Sequence, residues 1–313
     1  MSALLFPGQG SQIVGMGSEF FNRFKIVKKI FNQADEKLNF PISKIILEGP
    51  EDQLQLTKNT QPAILTVSYS IFKVMVEEFN FDLSDIKFFA GHSLGEYSAL
   101  VCSNSLEFSD AVFLLHERGN SMQEAVPVGK GAMIAVLGTT INEIEKIIQN
   151  FQSKSGVCEI ANDNADGQVI ISGDRQSIEN FQIQLKEKKI KSIPLKVSAP
   201  FHCSMMKPAA DNMLEKINKT LFKKPVVKIV SNVKALPEDN PENIKDLLFN
   251  QICSTVKWRE SLINISKAGI KNFIEIGPGK VLTGMVKRTI KNANCYSINS
   301  INDIKNLKNE FKK

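Results

Sequence analysis

The sequence predicts an α/β protein in two parts, a larger domain with a mainly parallel sheet and a smaller α+β unit inserted into it. Short apolar runs that are typical of buried strands alternate with segments of helical periodicity. Between positions 131 and 197 the order changes to strand, helix, strand, strand, helix, strand. The 313 residues are also enough for two domains of ordinary size.

The inserted unit is assigned to residues 128–197. Its β-α-β-β-α-β order is that of a split βαβ, or ferredoxin-like, unit. Thr140 to Glu143 has the pattern of a capping box that opens its first helix. The larger domain is therefore expected to comprise residues 1–127 and 198–313.

The larger domain begins with a short apolar strand, Ala3–Phe6, which runs into a glycine loop. Ser109 is the expected N-cap of the helix that starts at Phe108. No element is predicted beyond position 291, where the tail is rich in lysine and asparagine. The remaining elements follow from periodicity, with strands at 226–231 and 273–276 and helices at 18–40, from 59 onward, 108–126, 208–221, 241–251, 258–268 and 281–291.

The most informative stretch is Phe88–Leu100, FFAGHSLGEYSAL. An apolar strand ends in G-x-S-x-G and a helix-competent segment follows, which is the context of a nucleophile elbow. Because Gly91 and Gly95 have no Cβ, they allow the strand and the helix to pass close to each other. The pattern predicts an α/β-hydrolase-like domain with Ser93 as nucleophile and the backbone N–H of Leu94 as an oxyanion donor. A serine that merely caps a helix is the alternative.

A serine hydroxyl needs a base, and the chain has three histidines. His92 adjoins Ser93, and such neighbours usually point apart; His116 lies in mid-helix. His202, on a loop beside the start of a helix, is the candidate base by elimination, although it could be a histidine satisfied by the backbone. No acidic residue stands out as a third member, so a backbone or side-chain carbonyl could orient the imidazole.

Arg118 is the candidate for anion recognition. It lies three residues after Leu115 and four before Met122, on the apolar side of its helix. The chain has five arginines, and lysine supplies most of its positive charge. The alternative is that the Arg118 side chain extends to the edge of the apolar face, where it reaches solvent, or forms an ion pair with a nearby acidic residue. Its position on an apolar face favours a planar, bidentate cation that binds a ligand.

Composition excludes several classes of protein. No window of eighteen apolar residues indicates a membrane span, and MSALLFPGQG does not resemble a signal peptide. The five cysteines are widely spaced and lack C-x-x-C, which argues against disulfides or zinc and predicts the cytoplasm. The net charge is +6, with lysines at 186–196, 219–228 and 305–313, but no nucleic-acid motif accompanies them. Solvated lysine faces and an acidic protein partner both remain open.

The sequence resembles, essentially end to end, the malonyl-CoA:acyl-carrier-protein transacylases of dissociated (type II) fatty acid synthesis. Six motifs in the family's order carry this resemblance. They are FPGQGSQ at Phe6–Gln12, GHSLGEYSAL at Gly91–Leu100, RGNSMQ from Arg118, N-x-N with GQV at Asn162–Val169, HC-x-x-MKPA at His202–Ala209 and EIGPGKVL at Glu275–Leu282.

The resemblance implies a Ser-His dyad in which Ser93 forms an acyl-enzyme and His202 is general base and acid. A main-chain carbonyl near Gln251 would orient the histidine, and the backbone N–H groups of Gln9 and Leu94 would form the oxyanion hole. Loss of one such donor typically costs about 10²–10³ in rate.

The resemblance also implies a substrate pocket. Arg118 would hold the free carboxylate of a malonyl group, and His92, Asn162 and Gln251 would line the pocket. Phe201 occupies a position that varies among relatives, where it could narrow the pocket.

The implied reaction is ping-pong malonyl transfer from malonyl-CoA to the phosphopantetheine thiol of an acidic acyl carrier protein. A monomer without metal or permanently bound cofactor is expected, with the coenzyme A thioester as substrate. An esterase or thioesterase would use the same elbow with water as acceptor, and a non-catalytic carrier-binding subunit is a further alternative. A loading enzyme of polyketide synthesis would share all of these motifs.

Overall fold

The computed structural model describes residues 1–151, 156–197 and 199–311. The strands, in chain order, are β1 (Ser2–Phe6), β2 (Ile86–Gly91), β3 (Gly131–Leu137), β4 (Cys158–Ala165), β5 (Gln168–Asp174), β6 (Lys191–Pro194), β7 (Lys228–Val230), β8 (Pro237–Glu238), β9 (Asn272–Ile276) and β10 (Asn294–Ile298).

The α-helices, in chain order, are α1 (Ser18–Arg23), α2 (Lys25–Leu38), α3 (Ile42–Glu48), α4 (Glu51–Gln55), α5 (Thr57–Lys73), α6 (Gly95–Cys102), α7 (Phe108–Glu124), α8 (Ile141–Phe151), α9 (Arg175–Glu187), α10 (Lys207–Lys219), α11 (Pro241–Gln251), α12 (Trp258–Lys267), α13 (Val281–Thr289) and α14 (Ile301–Phe311). A π-helical turn at Val74–Glu78 continues α5, and a 3₁₀ turn at Ser204–Met206 precedes α10. Among the described residues, we find no helix with the length and hydropathy to span a bilayer.

The larger sheet has the strand order β10-β9-β1-β2-β7-β8. All neighbouring pairs are parallel except β7 with β8. Leu4 and Phe6 of β1 pack in one apolar cluster, whereas Ala3 and Leu5 pack in another. Because successive side chains of a strand point to opposite faces, both faces of this sheet are covered, as is usual for parallel strands.

The smaller sheet is antiparallel, with the order β4-β5-β3-β6. Helices α8 and α9 pack on it around an apolar cluster of their own. The predicted fold class, a mainly parallel α/β sheet with a smaller α+β unit, is confirmed. The division at 127/128 and 197/198 stays a prediction, and Ser198 lies outside the described residues.

The two sheets meet where β4 contacts the segment after α11. Asp163 N donates to Val256 O at 3.0 Å, and Val256 N donates to Ala161 O at 2.9 Å. The side chain of Arg259 also pairs with both carboxylate oxygens of Asp163, at 2.9 and 3.0 Å. These contacts bring the middle of β4 to the larger sheet.

Three expectations about helices were wrong in detail. The residue before α7 is Glu107, in an extended conformation, so Ser109 is not its N-cap. The predicted helix at 18–40 is interrupted at Phe24, whose backbone is extended. The tail beyond 291 forms β10 and α14. The many lysines and asparagines of this tail obscured the helical spacing of three apolar residues in the sequence. These residues, Ile301, Ile304 and Leu307, form the buried face of α14.

The close approach at the elbow supports a stability prediction. A Cβ on Gly91 would lie 1.8 Å from the backbone O of Gly95, whereas a Cβ on the exposed helical Gly284 meets no atom within 4 Å. We expect Gly91→Ala to lose about 3 kcal/mol of unfolding free energy through overpacking. Gly284→Ala should gain about 0.5–1 kcal/mol, because alanine favours the helix. Urea denaturation of both variants checks this, and equal midpoints would contradict it.

Candidate active site

Ser93 stands in a sharp turn between β2 and α6, with a φ of 53°. Such a left-handed backbone is unusual for serine and typical of a nucleophile held on a strained turn. Asn232 holds the turn, because its Oδ1 accepts from Ser93 N at 2.7 Å and its Nδ2 donates to Gly91 O at 2.7 Å. Ser93 thereby lies at the carboxyl end of β2, half-buried at the wall of a cavity.

A cavity of about 270 Å³ opens above Ser93, lined by strand residues of the smaller sheet and by loop and helix residues packed around the larger sheet. The lining residues are Gly8, Gln9, Gly10, Ser11, Gln61, His92, Ser93, Leu94, Arg118, Met122, Met133, Asn162, Asn164, Gln168, Ile170, Leu195, Val197, Phe201, His202, Val281, Leu282 and Met285.

Ser93 and His202 lie in hydrogen-bond contact although 109 positions separate them. Ser93 Oγ is 2.8 Å from His202 Nε2, and His202 Nδ1 is 2.9 Å from the backbone O of Gln251. A carbonyl only accepts, so Nδ1 carries the proton and Nε2 is free to accept from the serine. The backbone carbonyl therefore orients the imidazole as an acid would in a Ser-His-Asp triad.

The electrostatic surroundings keep His202 neutral. Burial, with smaller contributions from the nearby Arg118 cation and His92, lowers the pKa of His202 to about 3, although the hydrogen bond to Gln251 acts in the opposite direction. The imidazole is thus in its proton-accepting form throughout the neutral range.

Arg118 is 1% exposed, and its guanidinium reaches the same serine oxygen. Nη2 donates to Ser93 Oγ at 3.1 Å and to Gln251 Oε1 at 2.9 Å, and Nη1 donates to Gln61 Oε1 at 2.8 Å. No carboxylate among the described residues forms an ion pair with it, and Nε has no partner there. A buried cation held only by neutral groups favours an anionic ligand.

Two backbone amides face this region without an acceptor of their own. Gln9, in the first glycine loop, and Leu94, at the start of α6, both line the cavity. Neither N–H has a hydrogen-bond acceptor among the described residues. Unpaired amides beside a helix N-terminus are the groups that stabilise an oxyanion.

The remaining candidates occupy different positions. His92 and Asn162 line the cavity, and His92 Nε2 is 2.8 Å from Asn164 Oδ1, whereas the histidine hydrogen-bonded to the serine hydroxyl is His202. Burial lowers the pKa of His92. Gln251 is fully buried and lies behind Ser93 rather than among the lining residues. Phe201 is part of the cavity wall.

The sequence analysis missed two residues behind the serine, Glu96 and Asn232. Glu96 Oε2 accepts from Asn232 N at 3.1 Å and from Gln251 Nε2 at 2.7 Å. Glu96 is the only charged residue in the buried helix α6, and this was a signal that could have been used. Asn232 has no local signal, because only the fold brings it to the elbow. Among the described residues, no group of three or more His, Cys, Asp or Glu side chains could hold a metal ion.

The low pKa of His202 predicts the pH dependence of serine reactivity. The folded-state pKa lies far below the ordinary value, so the base is lost only as the pH falls towards about 3. We expect the rate at which a fluorophosphonate labels Ser93 to stay level from pH 8 to pH 5. Stopped-time labelling measures this rate. Glu96 is a second buried group with a pKa in this range, about 7, so the same profile is measured in Glu96→Gln, which lacks that carboxyl group. A fall in the labelling rate centred near pH 6.5 that persists in this variant would contradict the prediction.

Comparisons with known proteins agree with this geometry. Residues 3–312 match the model of a family described as acyl transferase domain. A malonyl CoA-acyl carrier protein transacylase of Bacillus subtilis (strain 168) is 42% identical over 287 residues, 91% of this chain and 89% of the relative.

Solved structures agree as well. The acyl-carrier-protein-S-malonyltransferase from Bartonella henselae has a TM-score of 0.96 and 39% identity, covering 100% of this chain and 99% of that chain. A malonyl-transacylase in complex with its type II PKS acyl-carrier protein has a TM-score of 0.94 and 36% identity, covering 98% and 99%. The match over nearly the whole length confirms the resemblance expected from the motifs: this chain belongs to the acyl transferase family.

Proposed function

We propose that this chain transfers the malonyl group of malonyl-CoA to the phosphopantetheine thiol of an acyl carrier protein through a malonyl ester on Ser93. One observation carries the proposal. The oxygen of Ser93 lies 2.8 Å from a neutral histidine nitrogen and 3.1 Å from the buried guanidinium of Arg118. A nucleophile and a cation at one point suit an acyl group that carries a carboxylate. The names of the relatives support this substrate and this acceptor.

In the first half-reaction His202 Nε2 takes the proton of Ser93 as Oγ attacks the thioester carbonyl. The oxyanion that forms accepts from the backbone N–H groups of Gln9 and Leu94. The C–S bond then breaks, and the leaving sulfur of coenzyme A takes the proton from His202. The products are the malonyl ester of Ser93 and free coenzyme A.

The second half-reaction runs the same steps with the carrier thiol. His202 takes the thiol proton, the sulfur attacks the ester carbonyl, and the C–O bond to Ser93 breaks. The serine oxygen recovers the proton from His202. Because coenzyme A leaves with the acyl group still on Ser93, before the carrier thiol reacts, the kinetics are ping-pong.

Arg118 selects the acyl group in this proposal. A malonyl carboxylate compensates the buried cation through two charge-assisted hydrogen bonds. An acetyl group leaves that cation without an anion in a buried site, which costs binding free energy. His92, Asn162 and Phe201 bound the acyl group from the cavity wall, and Phe201 limits its size.

The setting of the reaction is part of the proposal. The enzyme acts as a monomer in the cytoplasm, uses malonyl-CoA as substrate without a bound cofactor, and supplies malonyl units for fatty acid chain elongation. The lysine-rich surface fits an acidic carrier protein through charge complementarity. A place in polyketide synthesis would use the same chemistry with a different carrier.

The acyl-enzyme gives the first test. Mixing the protein with malonyl-CoA should add one malonyl group to Ser93, detected by peptide mass spectrometry, and holo-carrier protein should remove it. Ser93→Ala should form no adduct and transfer nothing. An adduct at another residue, or loss of the adduct to water as fast as to the carrier, would refute malonyl transfer and favour an esterase.

Arg118 gives the second test. We expect Arg118→Ala to lower kcat/KM for malonyl-CoA by about 100-fold or more, since two charge-assisted hydrogen bonds are lost. Acetyl-CoA should be affected much less, so that the preference for malonyl collapses in a competition assay. The matched control is Arg175→Ala, at an exposed arginine that pairs with Glu179. An unchanged preference in Arg118→Ala would contradict the assignment.

A further inference from the structure

Glu96 has no role in the reaction proposed above, yet its carboxyl group lies directly behind the active-site residues. The side chain is 3% exposed and sits on α6, three residues after Ser93. Its Oε2 accepts from the backbone N of Asn232 at 3.1 Å and from Gln251 Nε2 at 2.7 Å. A buried acid that contacts no substrate cavity requires an explanation.

The two ends of the Gln251 amide have different hydrogen-bond partners. Nε2 makes its shortest hydrogen bond to Glu96 Oε2, at 2.7 Å, and also donates to the backbone O of Ser93 at 3.1 Å and to Asn232 Oδ1 at 3.4 Å. This leaves Oε1 to accept from Arg118 Nη2 at 2.9 Å. If the amide turned over, its NH₂ group would face the guanidinium, and two donors would oppose each other. The acceptors behind Gln251 therefore decide which end Arg118 meets.

We propose that Glu96 is a positioning residue: its carboxyl oxygen orients the amide of Gln251, which holds Arg118 beside Ser93 and so sets the preference for carboxylated acyl groups. This inference rests on the proposed function. It assigns Glu96 a role in specificity, exerted through Gln251, and none in proton transfer.

Glu96 could instead act as a distant counter-charge for Arg118, but the contacts favour orientation. Burial raises the pKa of Glu96 to about 7, so its charge is partly lost in the neutral range. A protonated carboxyl group still has an oxygen that accepts from Gln251. Orientation of the amide thus persists in both protonation states, whereas a counter-charge does not.

Two conservative variants separate the effect of the Glu96 oxygen as a hydrogen-bond acceptor from the effect of its negative charge. Glu96→Gln keeps an oxygen at the same reach and removes the charge. Glu96→Asp keeps the charge and withdraws the oxygen by one methylene, away from Gln251. We expect Glu96→Asp to lower kcat/KM for malonyl-CoA by about 10- to 100-fold, chiefly through KM, as expected for an interaction that binds substrate and transition state alike.

The same variant should change acetyl transfer by about threefold or less, and Glu96→Gln should keep both values within about threefold of wild type. The quantity compared is the ratio of kcat/KM for malonyl-CoA to kcat/KM for acetyl-CoA, measured in one preparation. Because an unfolded fraction would lower both values by the same factor, it does not change this ratio. Ser98→Ala, which alters a buried polar side chain of α6 outside this network, is the matched control and should leave the ratio unchanged.

Several outcomes would overturn the proposal. Loss of the malonyl preference in Glu96→Gln, with or without loss in Glu96→Asp, would assign the effect to charge. An unchanged ratio in Glu96→Asp, or equal losses for both substrates, would leave Glu96 a structural residue. A wild-type protein that forms no malonyl ester on Ser93 would refute the proposed function itself, which the Glu96 variants do not test.

Discussion

The site depends on the burial of one cation without a carboxylate in contact. Arg118 is enclosed at the wall of the cavity, where Gln61, Gln251 and the hydroxyl of Ser93 are its hydrogen-bond partners. Burial lowers the pKa of Arg118, but guanidinium stays protonated in proteins, so the charge remains. The protein therefore maintains a buried positive charge, with no carboxylate of the described residues in direct contact, at the point where a nucleophile acts. An anionic acyl group relieves that cost when it binds.

Gln251 connects the parts of this arrangement. Its backbone O orients His202, its Oε1 accepts from Arg118, and its Nε2 donates to the backbone of Ser93 and to Glu96. The base, the cation and the nucleophile thus share one residue at the end of α11. A small shift of Gln251 would move all three, since each contact is a directional hydrogen bond.

The contact between the two sheets explains why the smaller sheet forms part of the cavity wall. The hydrogen bonds between β4 and Val256 tie the small sheet to the chain that continues from Gln251. The ion pair of Asp163 with Arg259 reinforces the same junction, and Asn162 and Asn164 of β4 line the cavity beside it. The buried side chains of Asp163 and Asn164 are tolerated in this strand because Arg259 and His92 pair with them.

The sequence by itself determined the local features. The elbow at Ser93, the strand that precedes it and the inward face of Arg118 follow from short-range rules, because glycine sterics and helical periodicity act over a few residues. Much of the fold class was predictable for the same reason, although the lysine-rich tail concealed α14. Only the tertiary structure decided which distant groups meet. Gln251 and Asn232 converge on Ser93 and Glu96 from separate elements, and the Gln251 carbonyl takes the place of an acid. No local pattern encodes such contacts, since they exist only after the sheet has brought the carboxyl ends of its strands together.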